Sequence, residues 1–63
     1  MNLSRAIRKA REVKDLSLTK FAAEVGVSVS TAHAWENGTH SVRMDKLPAI
    51  AKVLGVSVED LFA

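Results

Sequence analysis

The sequence predicts an all-α fold, a compact bundle of five short helices. Three observations lead there. Apolar residues recur at spacings of three and four, as in Leu3, Ala6, Ile7, Ala10 and Val13, and no run alternates as a half-buried strand does. Serine and glycine punctuate the chain in the order in which helices start and stop: Ser17 then Gly26, Ser28 then Gly38, Gly55 then Ser57. The stretch from Ser17 to Gly38 holds two short helical patterns with a glycine between them, the arrangement from which a helix-turn-helix is made.

Sixty-three residues allow one domain, 1–63, near the lower limit for a self-sufficient core. A chain this short buries only about 60% of the surface it exposes when unfolded, so modest stability is expected. There is no cysteine, which excludes a disulfide framework and thiolate metal sites. No apolar run nears the roughly 20 residues that span a bilayer, and no secretory signal pattern opens the chain, so a cytoplasmic domain is expected. The net charge is only +2, but its distribution is uneven. Arg5, Arg8, Lys9, Arg11, Lys14 and Lys20 lie in the first third, whereas Glu59 and Asp60 lie near the far end. Attraction for phosphate is therefore expected mainly from the first helix and its neighbourhood, with a plain solvated helix face as the competing account.

Leu3 to Lys14 reads as the first amphipathic helix, capped by Asn2 or Ser4. Arg8 and Glu12 form a favourable i,i+4 pair on its polar side, and Arg5 and Lys9 an unfavourable one. Lys14 and Asp15 end it, and Leu16 enters the core. The second helix runs from Leu18 to Val25 behind Ser17, with Phe21, Ala22 and Val25 inward and Thr19, Lys20, Ala23 and Glu24 outward. Gly26 can close it in the left-handed conformation without a Cβ clash, and the small Ala22 lets the next helix approach. The third helix, Val29 to Asn37, starts at Ser28 and stops at Gly38. Val27, Ala32 and Trp35 should point inward, and Val29, Ser30, His33 and Ala34 away.

Thr39 to Arg43 carries no periodic pattern and reads as a loop. Met44, Leu47, Ile50, Ala51 and Leu54 outline a fourth helix closed by Gly55, with Asp45 in its first turn, where the helix dipole favours a carboxylate. Pro48 falls about one turn into this pattern and either bends the helix or delays its start. Ser57 caps a last short helix through Val58, Leu61 and Phe62.

Several stretches, in this order and spacing, carry a family resemblance. They are I-R-x-x-R at Ile7, Arg8 and Arg11, L-S at Leu16 and Ser17, and F-A-x-x-V-G-V-S-x-S-T from Phe21 to Thr31. W-E-N-G from Trp35 to Gly38 and L-G-V-S-V-E-D-L-F from Leu54 to Phe62 complete the set. Together they resemble the lambda-repressor and Cro-like helix-turn-helix domain, the Xre family, over nearly the whole chain. The resemblance implies a sequence-specific transcriptional regulator of phage, prophage or bacterial origin, a repressor or Cro-like protein. It would bind a palindromic operator in double-stranded DNA as a homodimer, its recognition helices about one DNA turn apart.

The same resemblance implies an ion pair between Arg11 and Glu36, a structural link from the first helix to the recognition helix. It implies base reading by Val29, Ser30, His33 and Ala34 in the major groove. Phosphates would be met by Ser17, Thr19, Lys20, Ser28, Thr31, Asn37, Thr39, His40 and Arg43; the free N–H groups at the helix starts suit anions. With no separate oligomerisation domain apparent, Val42, Met44, Val58 and Phe62 are the candidate dimer surface, a core role being the competing reading for Val58 and Phe62.

The chain departs from the family pattern at the reading face. Leu18 stands where many relatives carry glutamine, and Val29, Ser30 and Ala34 stand where they tend to carry long polar side chains. From Val27 to Val42 the only side chain fully charged at neutral pH is Glu36. Base reading would rest on Val29 or Ala34 against thymine methyls, with hydrogen bonds from Ser30 or His33. One copy should therefore bind weakly, its specificity depending on dimer spacing and DNA shape. The aliphatic set Leu18, Val29, Ala32 and Ala34 supports a second function class, a protein-interaction module or antitoxin-like partner with weak DNA affinity, although the phase of Ala32 is inward.

Other chemistry is excluded. His33 and His40 lie seven apart with no carboxylate or cysteine at ligand spacing, so both read as surface residues rather than metal ligands. No nucleophile elbow or phosphate-binding glycine loop is present, and all three glycines serve as helix terminators. No enzymatic activity, cofactor or small-molecule ligand is expected.

Overall fold

In the computed structural model, which describes residues 2–62, a side-chain oxygen opens four of the five helices. Met1 and Ala63, the ends of the expected domain, lie outside the described residues. Helix α1 (Leu3–Val13) starts where Asn2 Oδ1 accepts from the Arg5 N–H at 3.1 Å. Ser17 does the same for α2 (Leu18–Val25), and Ser28 for α3 (Val29–Asn37), each at 3.1 Å. At α5 (Val58–Leu61), Ser57 and Asp60 cap reciprocally, each side chain accepting from the other's backbone N–H at 3.0 Å. Caps of this kind are each worth about 1 kcal/mol, a sizeable share for so small a domain.

Helix α4 (Leu47–Leu54) has no side-chain cap and is led in by a 3₁₀ turn at Met44–Lys46. Pro48 stands in its first turn, where the missing N–H has no intrahelical partner to lose. The proline thus delays the helix rather than bending it. Met44, expected to begin the apolar stripe of this helix, is 69% exposed.

Helix α1 ends by a device that no glycine supplies. Asp15 adopts a left-handed φ of 57°, its N–H donates to the Glu12 carbonyl at 3.0 Å, and the Leu16 N–H donates to the Arg11 carbonyl at 3.1 Å. That is the paired closure of a Schellman motif, with aspartate tolerated in the left-handed position. Leu16 then packs against the core as expected, but Val13 does not. Val13 is 79% exposed, because the apolar contact at this end of the helix is made by Leu16 after the chain has turned back.

Every helix contributes to one core: Ile7 from α1, Phe21 from α2, Trp35 from α3, Ile50 from α4 and Leu61 from α5 are all buried. Ala22 and Ala32 are buried where α2 packs on α3, the most extensive helix pairing among the described residues. Helix α4 packs against α1, α2 and α5 and so closes the bundle behind the α2–α3 pair. Val58 and Phe62 are half-buried against this core, in line with the packing role weighed for them. Among the described residues no buried side-chain nitrogen or oxygen lacks a hydrogen-bond partner, as a uniquely packed core requires. No helix among them is long and apolar enough to cross a membrane.

Candidate nucleic-acid interface

The turn between α2 and α3 is set by Gly26, at φ +88°, with Val27 half-buried beneath it. One carbonyl, that of Ala22, accepts from both the Gly26 and Val27 N–H groups at 2.9 Å. This closure lets Ser28 follow at once as the cap of α3. Burial of Ala32 and Trp35 then determines which side of α3 is left to solvent. Ser30 and His33 are exposed, and Val29 is 42% exposed. Ala34, expected to point away from the core, is half-buried.

The aliphatic patch expected around α3 is correspondingly smaller. Ala32 is fully buried, and Leu18 is half-buried and packed against the core. Of the set Leu18, Val29, Ala32 and Ala34, Val29 alone is exposed, too little for an extended apolar contact.

Orientation of α3 is held from α1. Arg11 Nε donates to Glu36 Oε2 at 2.7 Å and Nη2 donates to Glu36 Oε1 at 3.0 Å, a two-pronged contact. The third nitrogen, Nη1, donates to the Leu16 carbonyl at 2.8 Å, a partner that residue spacing alone did not indicate. The Glu36 side chain is 6% exposed and that of Arg11 16%. The hydrogen bonds that Arg11 donates to Glu36 raise its pKa above its already high ordinary value, against the opposing effect of desolvation.

The polar residues around the two helix starts are exposed but not all free. Ser17 Oγ is occupied by the Lys20 N–H, while Thr19 and Lys20 stand exposed in the first turn of α2. Ser28 Oγ accepts from the Thr31 N–H and donates to Thr31 Oγ1 at 3.0 Å, so these two hydroxyls are coupled. At the end of α3, Asn37 Oδ1 accepts from both the Thr39 N–H at 3.1 Å and Thr39 Oγ1 at 2.7 Å, and its amide faces His33 Nδ1 at 3.4 Å. Thr39 and His40 are exposed. Arg43 forms an exposed fork with Asp45, at 3.2 and 3.3 Å, which gives Asp45 a second role beside its place in the 3₁₀ turn. A pair this exposed is worth little, about 0–1 kcal/mol, so Arg43 can exchange it for another anion.

The basic run of α1 is divided. Arg11 is spent on Glu36 and Arg8 on Glu12 at 3.3 Å. Arg5, Lys9 and Lys14 line a groove formed with Leu54, Gly55, Val56 and Asp60, to which no residue of α2 or α3 contributes. Of the six cations in the first third of the chain, Lys20 alone lies within the helix-turn-helix.

A helix-turn-helix family model matches residues 7–61. The cryptic phage CTXphi transcriptional repressor RstR of Vibrio cholerae is 34% identical over 58 residues, covering 92% of this chain and 52% of the relative. The chain thus spans about half the length of that repressor. No solved structure matches it significantly. The matched span takes in the whole α2–α3 unit, the Arg11–Glu36 link and the helices behind them, and the chain belongs to the lambda-repressor-like helix-turn-helix family, a non-enzymatic family of DNA-binding transcription regulators.

Proposed function

We propose that the protein is a sequence-specific transcriptional regulator that sets α3 in the major groove of double-stranded DNA and acts as a homodimer on a palindromic operator. The observation that carries this reading is the side of α3 left to solvent, with Val29, Ser30 and His33 exposed on a helix held by Arg11. An α-helix fits the B-DNA major groove, about 12 Å wide. Val29 meets a thymine methyl there, and Ser30 and His33 each offer single hydrogen bonds to base edges; Ala34, half-buried, adds only a small apolar contact.

Phosphates are met in three places: Ser17, Thr19 and Lys20 at the start of α2, Ser28 and Thr31 at the start of α3, and Asn37 at its end with Thr39, His40 and Arg43 beyond it. The unpaired N–H groups of each helix start add to the attraction for anions. A bidentate side chain discriminates between bases by about 1–3 kcal/mol, and this helix offers no arginine, glutamine or exposed free asparagine to do so. One copy therefore binds weakly, and two copies on half-sites about 34 Å apart provide the rest. Of the dimer candidates, Met44 is the most accessible, Val42 is half-buried, and Val58 and Phe62 are largely spent on the core.

Selection from random duplexes at low ionic strength, followed by titration at rising salt, tests the proposal. A short half-site repeated as a palindrome and a linear fall of log K with log salt are expected. Absence of association with every duplex at low salt overturns it.

A further inference from the structure

Arg5, Lys9 and Lys14 are not used by the α2–α3 unit. They border a groove of about 820 Å³ between α1 and the chain that leaves α4 for α5. Its floor is apolar, formed by Ala6, Ala10, Val13, Leu54 and Val56, and Val13 is largely open to solvent. Lys14 fastens one end, its Nζ donating to the Val53 carbonyl at 2.8 Å. Among the described residues the rim carries one acid, Asp60, whose Oδ2 accepts from the Ser57 N–H. Arg5 and Lys9 form no ion pair among the described residues and sit four apart on one helix, a like-charge placement that is mildly destabilising.

We propose that this groove docks an acidic amphipathic segment of a partner protein. Carboxylates of the segment pair with Arg5 and Lys9, relieving their repulsion, and its apolar side chains cover Val13 between α1 and Val56. Charge complementarity selects this occupant. A second copy of the chain would bring the same cations face to face in a two-fold contact. A nucleic acid would meet an apolar floor with no aromatic residue for stacking. Because α2 and α3 do not line the groove, the segment and a duplex can be held at the same time.

The test is a nitrogen-15 NMR titration of the protein with a helical peptide carrying leucines at i, i+3, i+4 and i+7 among glutamates. A lysine-for-glutamate version and a version with scrambled leucines serve as controls. Saturable shifts centred on Ala6, Ala10, Val13 and Val56 are expected, with both controls weaker by about ten-fold or more. Val13→Asp, Lys9→Ala and the double change Arg5→Glu with Lys9→Glu should each weaken the acidic peptide, the double change most, while thermal melts show a folded domain. Lys9→Ala guards against unfolding of the double variant. Equal binding of the lysine peptide, shifts centred on α3, or no saturable binding overturns the proposal. So does a random duplex that shifts the same groove residues and competes with the peptide.

Discussion

Arg11 and Glu36, 25 positions apart in the chain, meet through two hydrogen bonds of 2.7 and 3.0 Å, and the same guanidinium reaches the Leu16 carbonyl at 2.8 Å. One side chain thus ties together α1, the turn that ends it, and the last turn of α3. Both partners are mostly withdrawn from water, so removing either leaves the other charged and unpaired. Arg11→Ala and Glu36→Ala should each cost about 3 kcal/mol or more, read as a fall in thermal midpoint or in urea stability. A loss below about 1 kcal/mol would mean that the pair behaves as an exposed one.

The pH dependence of this link follows from its sign. The pKa of Arg11 is raised in the folded state, so its stabilisation is fully present below the ordinary arginine value and is lost only as pH rises beyond it. Urea melts should show no loss from this group from neutral pH to about pH 10. Arg11→Lys keeps the charge but not the fork, and should cost about 1–2 kcal/mol at neutral pH. Its remaining contribution should be present below the ordinary lysine value and fade as pH rises beyond it.

Gly26 isolates the backbone contribution to the turn. A Cβ added there meets nothing within 4 Å, so Gly26→Ala clashes with no neighbour and incurs only the left-handed backbone penalty at φ +88°. That penalty is about 1–2 kcal/mol. Gly26→Asn should cost less, since asparagine tolerates this region, and the order alanine worse than asparagine in denaturant melts is the outcome to check.

Val13 and Ile7 belong to one periodic stripe yet should respond very differently. Ile7 is fully buried and Ile7→Ala should cost about 2–5 kcal/mol. Val13→Ala should stay within about 0.5 kcal/mol, since it removes an exposed side chain. Equal losses in thermal melts would place Val13 in the core.

Salt titration of DNA binding distinguishes the cations. Lys20→Ala should reduce the slope of log K against log salt by about one, as expected for one lost phosphate contact. Arg5→Ala and Lys9→Ala should leave the slope unchanged, because these side chains lie along the α1–α4–α5 groove. A slope lowered by either would support the expectation that α1 supplies phosphate attraction. Val29→Glu should weaken binding to every duplex by placing a carboxylate against the groove.

By itself the sequence determined where most helices start and stop, leaving the cap of α1 between Asn2 and Ser4 and the start of α4 to the effect of Pro48. Asn2, Ser17, Ser28 and Ser57 cap, and Gly26, Gly38 and Gly55 close, through contacts that span only a few residues. It also determined the inward phase of Ala32 and Trp35, and with it the outward side of α3 at Val29, Ser30 and His33, though not at the half-buried Ala34. Tertiary structure decided what depends on residues distant in the chain. Periodicity assigned Val13 and Met44 to apolar stripes, but a stripe is buried only where another helix arrives to cover it, and none covers these two. Periodicity likewise placed Arg5 and Arg11 on α1 without distinguishing them. The crossing of α1 with α3 gave Arg11 a carboxylate, and its packing beside α4 and α5 left Arg5 over an open groove. Helix signals act over one turn, whereas the environment of a charge is set by whichever helix packs against it.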